Sequence, residues 1–115
     1  MKEFIYLYRF EDAPRSPEQM QQNMQRWMAW MKALGEKGHL KDPGQPLESD
    51  GKVVRGAAKK LAVTDGPYTE TKDIVGGYTL VLAKDLDEAV ALSEGCPILE
   101  GDGSVEVRPV RKMNM

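Results

Sequence analysis

The chain has 115 residues, with 16 basic and 18 acidic side chains and a formal charge of −2. Its signs alternate without long blocks, which weighs against phosphate-driven nucleic-acid binding. No run approaches the roughly 18 apolar residues of a membrane span, and a single cysteine excludes an internal disulfide or a zinc site built on two thiolates. The N-terminus lacks the apolar h-region and cleavage site of a secretory signal, so a cytoplasmic protein is expected. At this length one domain spanning 1–115 and one modest core are expected, and a second copy would be a useful place to bury more surface.

Phe4 to Tyr8 is apolar throughout and reads as a strand. Alternation puts Ile5 and Leu7 on one face and Phe4, Tyr6, Tyr8 and Phe10 on the other. Amphipathic rings suit a subunit interface or a ligand cleft, so the aromatic face is expected to be the one left open by the helices. Ser16-Pro17-Glu18-Gln19 then starts a helix, with Ser16 as N-cap, Pro17 at the first helical position and Gln19 completing a capping box. The helix runs to about Lys37, and Gly35 and Gly38 offer stops. Met20, Met24, Trp27, Met28, Met31 and Leu34 recur at helical spacing and are expected in the core.

Pro43-Gly44 marks a loop. Lys52 to Arg55 and Lys60 to Thr64 are spaced as a hairpin, which Asp65-Gly66-Pro67 ends. Ile74 to Ala83 is the strongest strand, and Gly76-Gly77 inside it predicts a bulge or a close backbone approach. Asp85 caps a second helix over about Leu86 to Glu94, with Leu86, Ala89 and Val90 on one face and Gly95 ending it. From Ser104 to Val110, Val105 and Val107 alternate with Glu106 and Arg108, the pattern of a half-buried strand. This order of elements contains the split βαβ arrangement of an α+β ferredoxin-like antiparallel sheet with two helices on one face.

Several side chains carry chemistry. Asp65, at a strand end beside a Gly-Pro turn, suits proton transfer in a cleft and equally suits local turn hydrogen bonding. His39 is the only histidine, and its place after a helix-ending glycine gives it an ordinary role at the helix C-terminus. Cys96, beside Pro97, reads as a buried packing thiol. Glu106 and Arg108 share a strand face and either orient a polar ligand or form a rim salt bridge. Glu70 and Lys72 follow the Asp-Gly-Pro stretch, either gating the same cleft or lying in solvent. No phosphate loop, dinucleotide fingerprint or metal-ligand cluster occurs, so no cofactor and no metal is expected.

Val63 to Tyr68 with Glu70-Thr71-Lys72, then Gly76-Gly77-Tyr78, then Val105 to Val110 recur in an order and spacing that resemble the YCII-related family in its DGPF-motif branch. The first strand with Tyr6 and Tyr8 and the Cys96-Pro97 pair fit the same likeness. The motif here reads Asp-Gly-Pro-Tyr, which keeps an aromatic ring and adds the Tyr68 hydroxyl. The resemblance implies a dimeric α+β barrel, in which two ferredoxin-like sheets enclose a cleft, and an active-site role for Asp65. It also implies small-molecule chemistry without a cofactor, with Tyr6, Tyr8, Tyr68 and Arg108 as ligand-positioning candidates. Many members of this branch resemble proteins associated with sigma factors. A noncatalytic homodimeric module acting on transcription initiation therefore stands beside the enzyme reading.

Overall fold

The computed structural model describes residues 1–10, 15–57, 60–66 and 74–113, and for 57, 60–62 and 64–66 the backbone only. The elements run β1 (Lys2–Phe10), α1 (Pro17–Glu36), β2 (Leu40–Asp42), β3 (Gly51–Ala57), β4 (Lys60–Gly66), β5 (Ile74–Ala83), α2 (Leu86–Ser93) and β6 (Ser104–Pro109), with a 3₁₀ turn at Pro97–Glu100. Four strands form one antiparallel sheet in the order β2-β5-β1-β6, and β3 and β4 form a separate two-stranded sheet. The expected hairpin is thus an insertion. The second strand of the βαββαβ frame is the three-residue β2, too short to show any alternation in sequence.

The aromatic face of β1 is the core, which corrects the expectation that it would be left open. Phe4, Tyr6 and Tyr8 are buried with Trp30, Leu34, Val81, Ala83, Ala89 and Cys96. Both helices lie on this side because the rings offer them large apolar area and their polar tips find partners there. Tyr6 donates its hydroxyl to the Ala89 carbonyl on α2. Tyr8 donates to Thr79 Oγ1 at 2.7 Å, and Thr79 donates on to the Pro43 carbonyl at 2.9 Å. Trp30 Nε1 donates to the Leu92 carbonyl at 3.2 Å. The Trp30 ring stacks on Tyr6 with centroids 5.9 Å apart, while Trp27 meets Tyr8 edge-on at 4.6 Å. Among the described residues every buried side-chain polar atom has a partner.

Helix α1 begins with the expected capping box: Ser16 accepts from the Gln19 amide at 3.1 Å, and Gln19 accepts from the Ser16 amide at 3.0 Å. It ends in a Schellman motif. Gly38 takes φ 78°, its amide donates to Gly35, and the His39 amide donates to Leu34. Its core stripe is Trp27, Trp30, Met31 and Leu34, whereas Met20, Met24 and Met28 form a neighbouring row that is exposed. The methionine spacing is helical as expected, but this row lies beside the stripe that packs on the sheet and outside the core. On α2, Asp85 accepts from the Glu88 amide at 2.8 Å. Ala89 and Ser93 face inward, and Leu86 and Val90 are exposed.

Three ionisable groups in this core share one consequence. Burial pushes the Cys96 thiol up to about 12, and the Tyr6 and Tyr8 phenols are raised for the same reason, the hydrogen bond to Thr79 opposing the shift at Tyr8. In the unfolded chain the thiol ionises near 9.0 and the phenols near 10.0. Because the folded values are raised, the stability they confer is fully present below pH 9.0 and is lost as pH climbs through the interval up to about 12. The urea midpoint is expected to fall steadily above pH 9.0. A midpoint unchanged through that interval would mean these groups titrate freely in the fold.

Candidate functional site on the open sheet face

The register of β1 with its two neighbours assembles the opposite side of the sheet. Ile5, Leu7 and Arg9 lie there beside Tyr78, Leu80 and Leu82 of β5 and Glu106 and Arg108 of β6. All but Arg108 are half-buried, and among the described residues both helices pack on the other face. The β5 and β1 part of this face is largely apolar, and its β6 edge is charged. Arg9 Nε donates to Glu106 Oε1 at 3.0 Å, and Arg108 Nε lies 3.9 Å from Glu106 Oε2. One carboxylate lies between two guanidinium groups, whose planar donors match a carboxylate or phosphate.

A bulge aims Arg9. The β1–β5 register shifts between Tyr8, which pairs with Gly77, and Arg9, which pairs with Val75, so Gly76 is the extra residue. Any side chain at Gly76 would collide with Phe10, since an added Cβ would sit 1.8 Å from its ring. Gly77 is also close-packed, against the Gln45 and Pro46 backbone. The Gly76-Gly77 pair thus provides both a bulge and a close approach, as its sequence predicted. At the far end of β1 lies a groove of about 570 Å³ lined by Lys2, Glu3, Lys41, Leu82, Val110 and Lys112. Its carboxylate is already paired, Glu3 with Lys41.

The structure scatters the residues that the sequence grouped. Arg108 is on the open face. Tyr6 and Tyr8 are on the other side, buried, with hydroxyls bonded to Ala89 and Thr79, so their expected place on a ligand-contacting or intersubunit face is corrected to a place in the core. Asp65 is the penultimate residue of β4, across the ladder from Lys52. Tyr68, Glu70 and Lys72 lie outside the described residues. His39 has its Nδ1 2.8 Å from the Leu82 carbonyl oxygen, which with the Schellman motif accounts for it structurally. Cys96 is buried, as its sequence context indicated. Arg9 went unnoticed, although its alternation with Leu7 and Ile5 placed it on this face. Its pairing with Glu106 is a matter of register, which sequence spacing does not disclose. Among the described residues no three His, Cys, Asp or Glu side chains are grouped to hold a metal ion, and no helix is long and apolar enough to cross a membrane.

An antiparallel four-stranded sheet in the order β2-β5-β1-β6, with both helices on one side, defines a ferredoxin-like α+β domain. Residues 1–114 match the YCII-related domain, and the chain belongs to that family. No curated protein matches it. Among solved structures it is similar to 5-chloro-2-hydroxyhydroquinone dehydrochlorinase from Burkholderia phenoliruptrix AC1100, in complex with 2,5-dihydroxybenzoquinone. The two share 21% identity over 89% of this chain and 90% of that one, with a TM-score of 0.38.

Proposed function

We propose that this YCII-related protein binds a small organic anion on the open sheet face of a homodimer and acts on it by acid/base chemistry without a cofactor, with Asp65 carrying the proton. The observation that carries the reading is the Arg9–Glu106–Arg108 array along the β6 edge of an apolar sheet face. A second copy laid over Ile5, Leu7, Leu80 and Leu82 would leave that edge as the wall of a cleft. The guanidinium groups would hold the ligand's charge, and the aliphatic floor its carbon skeleton. Asp65 comes from the Asp-Gly-Pro-Tyr motif, and Tyr68 beside it would orient the ligand.

The test is a screen of aromatic and aliphatic carboxylates by calorimetry, with wild type, Arg108→Gln and Asp65→Asn. Losing a charge-assisted hydrogen bond at Arg108 is expected to weaken binding about 10- to 100-fold. Asp65→Asn keeps shape and most hydrogen-bonding capacity. It is therefore expected to melt within a few degrees of wild type, retain the ligand and lose turnover. Equal affinity in Arg108→Gln, or no carboxylate bound at all, would sink the assignment. A loss of thermal stability in Asp65→Asn with ligand behaviour intact would reduce Asp65 to a turn residue.

One observation favours a second reading, a noncatalytic module that docks on transcription-initiation machinery such as a sigma factor. The exposed row Met20, Met24 and Met28 is an adaptable apolar surface. Replacing all three by Gln is expected to abolish capture of such a partner under that reading, and to leave carboxylate binding unchanged under the first.

A further inference from the structure

The groove at the start of β1 is a second place where charge meets apolar surface. There the first residues of β1, the last of β5 and the chain leaving β6 come together, because β1 runs antiparallel to both neighbours. Glu3 pairs with Leu82 on one side, and on the other the Val110 amide donates to the Glu3 carbonyl at 3.0 Å. These three residues make one row across the sheet and border the groove, whose volume is about 570 Å³. That lies within the roughly 300–1,000 Å³ of small-molecule sites.

Its charge is concentrated and largely uncompensated. Three lysines and one glutamate line it, Lys2, Lys41, Lys112 and Glu3, a net charge of +2. Lys41, on β2, reaches across β5 to the Glu3 carboxylate, and among the described residues it alone of the three lysines has an acidic partner. All three are exposed, while Leu82, Pro109 and Val110 supply apolar walls. A phosphate monoester matches this arrangement: it carries about −1.5 to −2 at pH 7 on three oxygens of one head group. Ammonium groups act as point charges with rotating donors, so lysines arriving from β2 and from beyond β6 suit a compact anion without a planar fork. Glu3 and Arg9 are six residues apart on β1, about 20 Å. Arg108 is nearer, but its guanidinium lies toward Glu106 and does not border the groove. Of the aliphatic patch on which a second copy would lie, only Leu82 borders it, so the exposed lysines stay reachable in a dimer.

We propose that this groove is a separate ligand site, for a phosphate monoester with a small apolar body, its phosphate held by Lys41 and Lys112 and its carbon part lying against Leu82 and Val110. The site depends neither on Asp65 nor on the arginine array. The test is calorimetric titration with phenyl phosphate, with inorganic phosphate and phenol as controls and thermal melts to confirm folding. Wild type is expected to bind phenyl phosphate with a Kd of about 1 mM or tighter, inorganic phosphate more weakly, and phenol not measurably. Lys41→Gln with Lys112→Gln is expected to weaken phenyl phosphate about tenfold or more, and Arg9→Gln to leave it unchanged. Glu3→Gln removes the one carboxylate and frees Lys41, so it is expected to tighten binding about three- to tenfold. No saturation by about 10 mM phenyl phosphate, equal affinity in the lysine variant, or weaker binding in Glu3→Gln would each overturn the proposal. So would inorganic phosphate bound as tightly as the ester, which would leave the apolar walls without a role. Loss in Arg9→Gln with retention in the lysine variant would move the phosphate to the arginine array and overturn it equally.

Discussion

Under the proposed homodimer, Leu7→Glu is expected to be a monomer at micromolar concentration where the unmodified protein is a dimer. Leu7 sits in the middle of the open face, between Tyr78 on one neighbouring strand and Glu106 on the other. Around it Ile5, Leu80 and Leu82 make a half-buried aliphatic surface that no helix covers. A carboxylate buried there against a second sheet would sit directly across the ladder from the Glu106 carboxylate and cost several kcal/mol, or about 100-fold or more in association. In a monomer the same carboxylate would stay hydrated and cost little. Sedimentation equilibrium separates the cases. A variant that still sediments at twice the chain mass would place the interface elsewhere, and a monomeric wild type would remove the dimer altogether.

Trp30→Ala should have the largest effect on folding stability. The ring stacks on Tyr6, contacts Tyr8 and Trp27 edge-on, and anchors α2 through the Leu92 carbonyl. Emptying such a site costs about 3–5 kcal/mol, a large part of the roughly 5–15 kcal/mol that holds a domain together. Tyr8→Phe is the contrast. It removes one hydroxyl while Thr79 keeps its bond to Pro43, so a loss nearer 1 kcal/mol is expected. Chemical denaturation of both variants measures the difference. Comparable small losses would mean that the aromatic cluster is not the core, and that the helices are held by other contacts.

These two predictions concern opposite faces of one strand, and that is where the sequence was least legible. β5, the cap of α2, the capping box of α1 and the Val105/Val107 alternation all rest on local patterns, and the structure matches them. β1 has apolar side chains on both faces, so alternation separates the faces without ranking them. What decides between them is distant. The tyrosine hydroxyls bond to Ala89 and Thr79, far along the chain, and only the fold brings those acceptors near. Helix α1 poses the same problem. Two apolar rows share helical spacing, and the tryptophan row won because flat rings stack on the aromatic strand while the methionines beside it stayed outside. The candidate site was half visible: Arg108 and Glu106 share an alternation, but Arg9 joins them only through register.

The central place of β1 also determines when this protein is able to fold. β1 has both of its partners far along the sequence, Tyr6 pairing with Thr79 on one side and Val107 on the other. Until β5 forms, the apolar segment from Phe4 to Tyr8 has both hydrogen-bonding edges unsatisfied, and until β6 joins, one edge remains open. Such non-local pairing slows folding and prolongs exposure of a segment prone to strand addition. The native sheet therefore closes around β1 only once both of these distant strands have docked.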